Sequence, residues 1–121
     1  MVRVLAAVDD LFFGAKIAET AGRLNVPLVL ARSPEELEEK LRAFRPDLVI
    51  FDLNAEGCRP LETIRRVRAD PKLKDTALLG FFSHVQHDLK AAAVEAGCDR
   101  VMARLTFTAQ LPEILRPYAV T

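Results

Sequence analysis

Five short apolar runs, each separated from the next by a stretch with helical spacing, constrain this chain more than any other feature. They are Val2–Val8, Val26–Leu30, Leu48–Phe51, Ala77–Phe82 and Arg100–Ala103. Each is continuous rather than alternating, which suits strands covered on both faces, as in a parallel sheet. The chain has 121 residues, half of them hydrophobic. That is enough for one domain with a real core and too little for two, so a single domain is expected over 1–121.

The segments between the runs read as helices. After Asp10, the residues Phe13, Ile17, Ala21 and Leu24 fall on one stripe, with Phe12, Lys16, Glu19 and Arg23 opposite. Ser33-Pro34-Glu35-Glu36 is a capping box with proline at the first helical position. Leu37, Leu41 and Phe44 then repeat at helical spacing, and Glu36/Lys40 and Glu38/Arg42 sit four apart. A third helix is expected from about Pro60, burying Leu61, Ile64 and Val67 and ending before Pro71. A fourth runs from about Gln86 to Ala96, capped by Gly97, with Leu89, Ala92, Ala93 and Ala96 inward. The fifth covers about Thr108 to Arg116, with Leu111, Ile114 and Leu115 apolar. Strand and helix therefore alternate five times. That pattern predicts a flavodoxin-like (βα)5 sandwich, a doubly wound parallel sheet in the order 2-1-3-4-5.

Composition narrows the function. Seventeen Lys and Arg cancel seventeen Asp and Glu, so no net positive charge draws the chain to nucleic acid or an anionic membrane. Two cysteines, Cys58 and Cys98, cannot build a disulfide framework or a cysteine-rich zinc site. The N-terminus has too short an apolar run for a signal peptide, and no stretch approaches the ~18 apolar residues of a membrane span. A cytoplasmic domain without nucleic-acid or membrane partners is expected.

In an open doubly wound sheet, ligands bind at the carboxyl ends of the strands where the strand order reverses. Here that point lies between the first and third strands, whose ends carry Asp9-Asp10 and Asp52. A lone Asp there would be read as a helix or turn cap. Three converging carboxylates repel one another unless a cation neutralises them, and hard oxygen ligands favour magnesium.

These residues sit in VLAAVDD, PDLVIFDLN and EAGCDRVMAR, and with them the chain resembles the receiver domain of bacterial response regulators over essentially its whole length. The resemblance implies that a histidine kinase or phosphotransfer protein donates phosphate to Asp52. It also implies that Asp9, Asp10, Asp52 and the backbone carbonyl of Asn54 hold Mg2+. Ser83 and Arg104 match the positions that contact phosphoryl oxygens, and output is expected through a separate protein partner. Enzymatic activity is expected to go no further than self-phosphorylation from a donor and self-dephosphorylation at Asp52.

The departures are specific. The family's strand-5 lysine and proline read here as Arg104-Leu105, and arginine differs from lysine in reach and geometry. The hydroxyl match at Ser83 needs a one-residue deletion; without it Phe82 takes the place. The family's switch aromatic falls on Val101, and Ala55-Glu56 and Arg59-Pro60 stand where the family has Met-Pro and Asp-Gly. The chain reads as an atypical receiver. Two other readings are carried: a pseudo-receiver that binds a partner without phosphorylation, and a small enzyme or ligand binder on the same scaffold.

Other candidates are weaker. His84 follows strand 4 at the same rim, with His87 a turn on; either is read first as a loop residue, His84 also as an accessory to Asp52. Phe12, beside the acidic pair, is read first as a single exposed aromatic and also as an accessory that contacts a partner or shields the site. Cys58 lacks a fixed base, and Cys98 is read as a packed thiol. Arg65, Arg66 and Arg68, and the acids of Glu35–Glu39, are read as solvated helix faces.

Overall fold

The computed structural model describes residues 2–83 and 87–120, with the backbone only at His87. Five parallel strands form one sheet: β1 (Val4–Ala7), β2 (Leu28–Ala31), β3 (Leu48–Asp52), β4 (Ala77–Phe82) and β5 (Arg100–Ala103). Their order is β2-β1-β3-β4-β5. This is the expected flavodoxin-like topology, with its reversal between β1 and β3. Two strands are trimmed relative to the apolar runs. β1 keeps only the four residues that pair with both Leu28–Ala31 and Leu48–Phe51. β2 starts after Pro27, because the Val26 amide instead donates to Ala21 and closes the preceding turn.

The period of two along the strands builds a core on each face. Val4, Ala6, Val8, Leu48, Ile50, Leu79 and Phe81 meet the helices α1 (Leu11–Arg23) and α5 (Arg104–Leu115). Leu5, Ala7, Val49, Phe51 and Leu78 meet α2 (Pro34–Phe44), α3 (Pro60–Ala69) and α4 (His87–Ala96). Continuous apolar strands are thus covered on both sides, as their sequence requires.

Local signals explain most helix starts. Ser33 Oγ accepts the Glu36 amide at 3.1 Å, with Pro34 in the first turn of α2. The capping box is only half closed, since the Glu36 carboxylate takes Lys40 Nζ at 2.6 Å. That partner holds the Glu36 carboxyl below its ordinary range.

Five expectations are corrected. Phe44 is 43% exposed, because the chain turns out of α2 at Arg45, whose φ of 45° is left-handed. Leu61 is half-buried rather than core. Glu38 pairs with Arg66 of α3, not with Arg42. Arg68 is no solvated residue: it donates to the Gly97 and Thr76 carbonyls at 2.7 and 3.0 Å and pairs with Asp99. Finally, α5 begins at Arg104, four residues before Thr108, directly after β5. Its N-cap, Ala103, has no side chain to cap with, so the sequence carries no start signal there. Gln86 and His84 lie outside the described residues.

Candidate functional site

The rim at the β1/β3 reversal starts with Asp10. Its Oδ1 accepts the Phe12 and Phe13 amides at 2.9 and 3.1 Å, capping α1. Its Oδ2 lies 3.7 Å from Nη2 of Arg104, and both side chains are about half-exposed. The Arg104 guanidinium also lies 3.8 Å over the ring of Phe13. A cation in the first turn of a helix opposes the helix dipole. Asp10 and the negative face of the Phe13 ring offset that cost. Phe13 packs against Phe81 and Phe107, whose rings stack at 4.5 Å, so the base of the rim is an aromatic cluster shared by α1, β4 and α5. The part played by Phe13 was not legible in the sequence, where it reads only as a core residue.

Asp52 ends β3 and is 6% exposed. Its Oδ1 accepts the Asn54 amide at 3.0 Å, while Oδ2 takes no hydrogen bond among the described residues. Burial pushes its carboxyl above the ordinary Asp range. The Asn54 amide and Arg104 counter this in part, and the charges of Asp9 and Asp10 add to it. The three carboxylates and Arg104 therefore share one electrostatic site. Asp9 is exposed and faces the Glu56–Cys58 turn, where a Cβ on Gly57 would lie 3.6 Å from its Oδ2.

Ser83 follows β4 and meets this site through Asn54, whose Oδ1 accepts the Ser83 amide at 2.7 Å and its hydroxyl at 3.3 Å. Phe82, the alternative at this position, packs instead into the core beneath α2–α4. Val101 packs into the same core. The Asn54 side chain as a bridge from the Asp52 loop to Ser83 is a contact that sequence reasoning missed, having used only its carbonyl. That carbonyl accepts the Glu56 amide at 3.0 Å.

Phe12 is 90% exposed, and Leu11 and Leu105 are 63% and 83% exposed on the first turns of the neighbouring helices α1 and α5. An apolar fringe thus borders the Asp10–Arg104 pair. Cys58 is buried, and burial with the nearby Asp9 and Asp52 charges pushes its thiol up to about 11, the opposite of an activated nucleophile. Cys98 is a packed thiol, also pushed up to about 11 by burial. Two open clefts, of about 330 Å3 between α2 and α3 and about 430 Å3 beside Asn54, include none of the three rim aspartates in their walls.

The donors suit a hard divalent cation in kind, being carboxylates that destabilise one another's charge. Their arrangement is not ready-made: among the described residues no three His, Cys, Asp or Glu side chains are placed to hold a metal ion. The reason is visible at Asp10, which spends one oxygen on its own helix and turns the other toward Arg104.

This architecture is that of response-regulator receiver domains. The structure superposes on a response regulator from Hahella chejuensis with a TM-score of 0.85 at 18% identity, covering 98% of this chain and 95% of that one. The chemotaxis response regulator CheY4 of Vibrio cholerae gives 0.83 at 20% identity, with 98% of each chain covered. The phosphorylated cyanobacterial phytochrome response regulator RcpA gives 0.80 at 22%, covering 96% and 89%. No protein-family model matches the sequence. A curated relative, an uncharacterized 76.5 kDa protein in the phbC 3' region of Thiocystis violacea, is 26% identical over 97 residues. The match takes in 80% of this chain but only 14% of the relative. No helix among the described residues is long and apolar enough to cross a membrane.

Proposed function

We propose that the chain is a phosphorelay receiver module in which Asp52 accepts a phosphoryl group from a histidine kinase or phosphotransfer protein and the result is read by protein contact. The observation that carries this reading is Asp52 itself: a buried carboxylate with one oxygen unbonded among the described residues, at the reversal point of a receiver fold, within the charge field of two further aspartates and an arginine. Its oxygen attacks phosphorus, the bond to the donor breaks, and an acyl phosphate remains. A raised pKa makes the ionised oxygen the more basic nucleophile.

A divalent cation held by Asp9, Asp10, Asp52 and the Asn54 carbonyl would supply charge neutralisation for the phosphoryl oxygens. Arg104 and the Ser83 hydroxyl stand at the same rim to donate to those oxygens. The fringe of Leu11, Phe12 and Leu105 is the surface that a protein donor would cover. The test is intact-mass measurement after incubation with a small acyl-phosphate donor and magnesium. Wild type should gain one phosphoryl group and Asp52→Ala none; wild type that gains none would sink the reading.

A second reading, the pseudo-receiver, is favoured by Asp10, whose oxygens face its own helix and Arg104. It predicts partner binding that Asp52→Ala leaves intact.

Switching should be local. A ligand shifts a conformational equilibrium only through its differential affinity for the two states. Ser83 is held by Asn54, and Val101 has no ring to follow it. With beryllofluoride, amides near Asp52, Ser83 and Arg104 should shift, while Val101 and Leu111–Leu115 stay within experimental noise. Broad shifts over α5 would overturn this expectation.

A further inference from the structure

We propose that the cleft between α2 and α3 binds a small organic phosphate monoester, at a site separate from the Asp52 rim. The cleft holds about 330 Å3, at the lower end of the roughly 300–1,000 Å3 usual for small-molecule sites. Its wall carries four cations, Arg42, Arg45, Arg66 and Lys72, against two acids, Glu38 and Asp70. Two positive charges in excess are thus gathered in one place on a chain with no net charge. A phosphate monoester carries about −1.5 to −2 at pH 7 and matches that excess, whereas a single carboxylate does not. The apolar part of the wall comes from the buried Leu41, Val67 and Leu73. It gives the organic body of the ligand a surface to cover.

The cations are available. Arg66 takes Glu38 from α2 and Glu62 from its own helix, so Glu38 is drawn away from Arg42, four residues on. Among the described residues Arg42, Arg45 and Lys72 have no ion-pair partner. Asp70 spends Oδ1 on the Lys72 amide at 2.9 Å. The backbone points to the same place independently. Arg45 closes α2 in the left-handed region, at φ 45° and ψ 66°, its amide donating to the Leu41 carbonyl at 3.0 Å. Glycine or asparagine closes a helix there with less strain. The turn alone therefore does not account for an arginine. A guanidinium held in the wall of the cleft does, because it can fork onto phosphate oxygens. Strain of this kind gathers at ligand sites.

The experiment is an NMR titration of the full chain with phenyl phosphate at low ionic strength, where exposed charges are least screened. Amide shifts should gather at Leu41, Thr63, Val67 and Leu73 and saturate. Inorganic phosphate, lacking the apolar body, and benzoate, lacking the second charge, should each bind more weakly. Arg42→Gln should weaken phenyl phosphate binding about tenfold, the loss of one charge-assisted contact. Glu38→Gln removes an acid and frees Arg66, so it should tighten binding severalfold. Arg45→Gly separates the site from the fold. It relieves the left-handed strain and should melt no lower than the wild type, yet bind about tenfold more weakly. Shifts confined to Asp52, Asn54 and Ser83 would place the phosphate at the acceptor rim and overturn the cleft as its site. Equal binding of inorganic phosphate or benzoate, wild-type affinity in Arg45→Gly, or no saturable binding at all would overturn it too. None of these readings depends on whether Asp52 accepts a phosphoryl group.

Discussion

Asp52→Asn is expected to melt a few degrees higher than the wild type at pH 7 while losing all phosphoryl uptake. The native carboxyl is raised above its unfolded value, chiefly by burial and then by Asp9 and Asp10, against the pull of the Asn54 amide and Arg104. The folded protein thus holds the Asp52 proton more tightly than the unfolded chain does. Stability contributed by this group falls as pH rises from the ordinary Asp value through the raised native one, and the full cost persists above it. Asparagine keeps the Oδ1 acceptor for the Asn54 amide and removes the charge. The melting difference should be largest at neutral pH and shrink toward zero near pH 3, about where the unfolded carboxyl is itself protonated. A variant that melts lower at pH 7, or a difference that does not change with pH, would show that the charge at Asp52 is fully compensated. Such a result would remove the electrostatic case for a functional site.

What could be read from the sequence was what neighbours along the chain decide. The five apolar runs predicted the sheet and its order because continuous burial on both faces permits few other arrangements. Ser33 and Pro34 announced α2 because a cap bonds within its own turn. The rim aspartates were legible as strand ends for the same reason. What escaped was decided across the fold. Arg68 reads as one of three exposed arginines until Gly97 and Asp99, about thirty residues on, are brought against it. Arg104 reads as the residue just past the fifth apolar run and before the expected helix, yet it opens α5 and is received by Phe13 and Asp10 of α1. Asp10 reads as a metal ligand or as a cap. The structure shows the cap and an ion pair, a choice that its neighbours in sequence do not decide.

Arg68 and Gly97 should prove the most sensitive contact in the fold. Four elements meet there. Arg68, near the end of α3, donates to the Thr76 carbonyl before β4 and to the Gly97 carbonyl after α4, and it pairs with Asp99 before β5. Asp99 in turn accepts the Leu78 amide at 2.8 Å. Truncating the partly buried Arg68 to alanine leaves two carbonyls without their charged donor, at a cost of about 3 kcal/mol, or roughly a 10 °C lower melting temperature. The Asp99 pair adds little, being half-exposed. Gly97 sits at φ 121°, where a side chain is strained, and a Cβ there would lie 2.3 Å from Arg68 Cγ. Gly97→Ala should therefore cost a similar amount by two routes, backbone strain and this clash. Only the clash is shared with Arg68. Removing the arginine removes it, so Arg68→Ala with Gly97→Ala should cost less than the two single variants added together. Thermal melts of the four proteins at one pH measure that difference directly. Strict additivity would mean that the alanine at 97 suffers from its backbone alone and that the two residues do not press on each other.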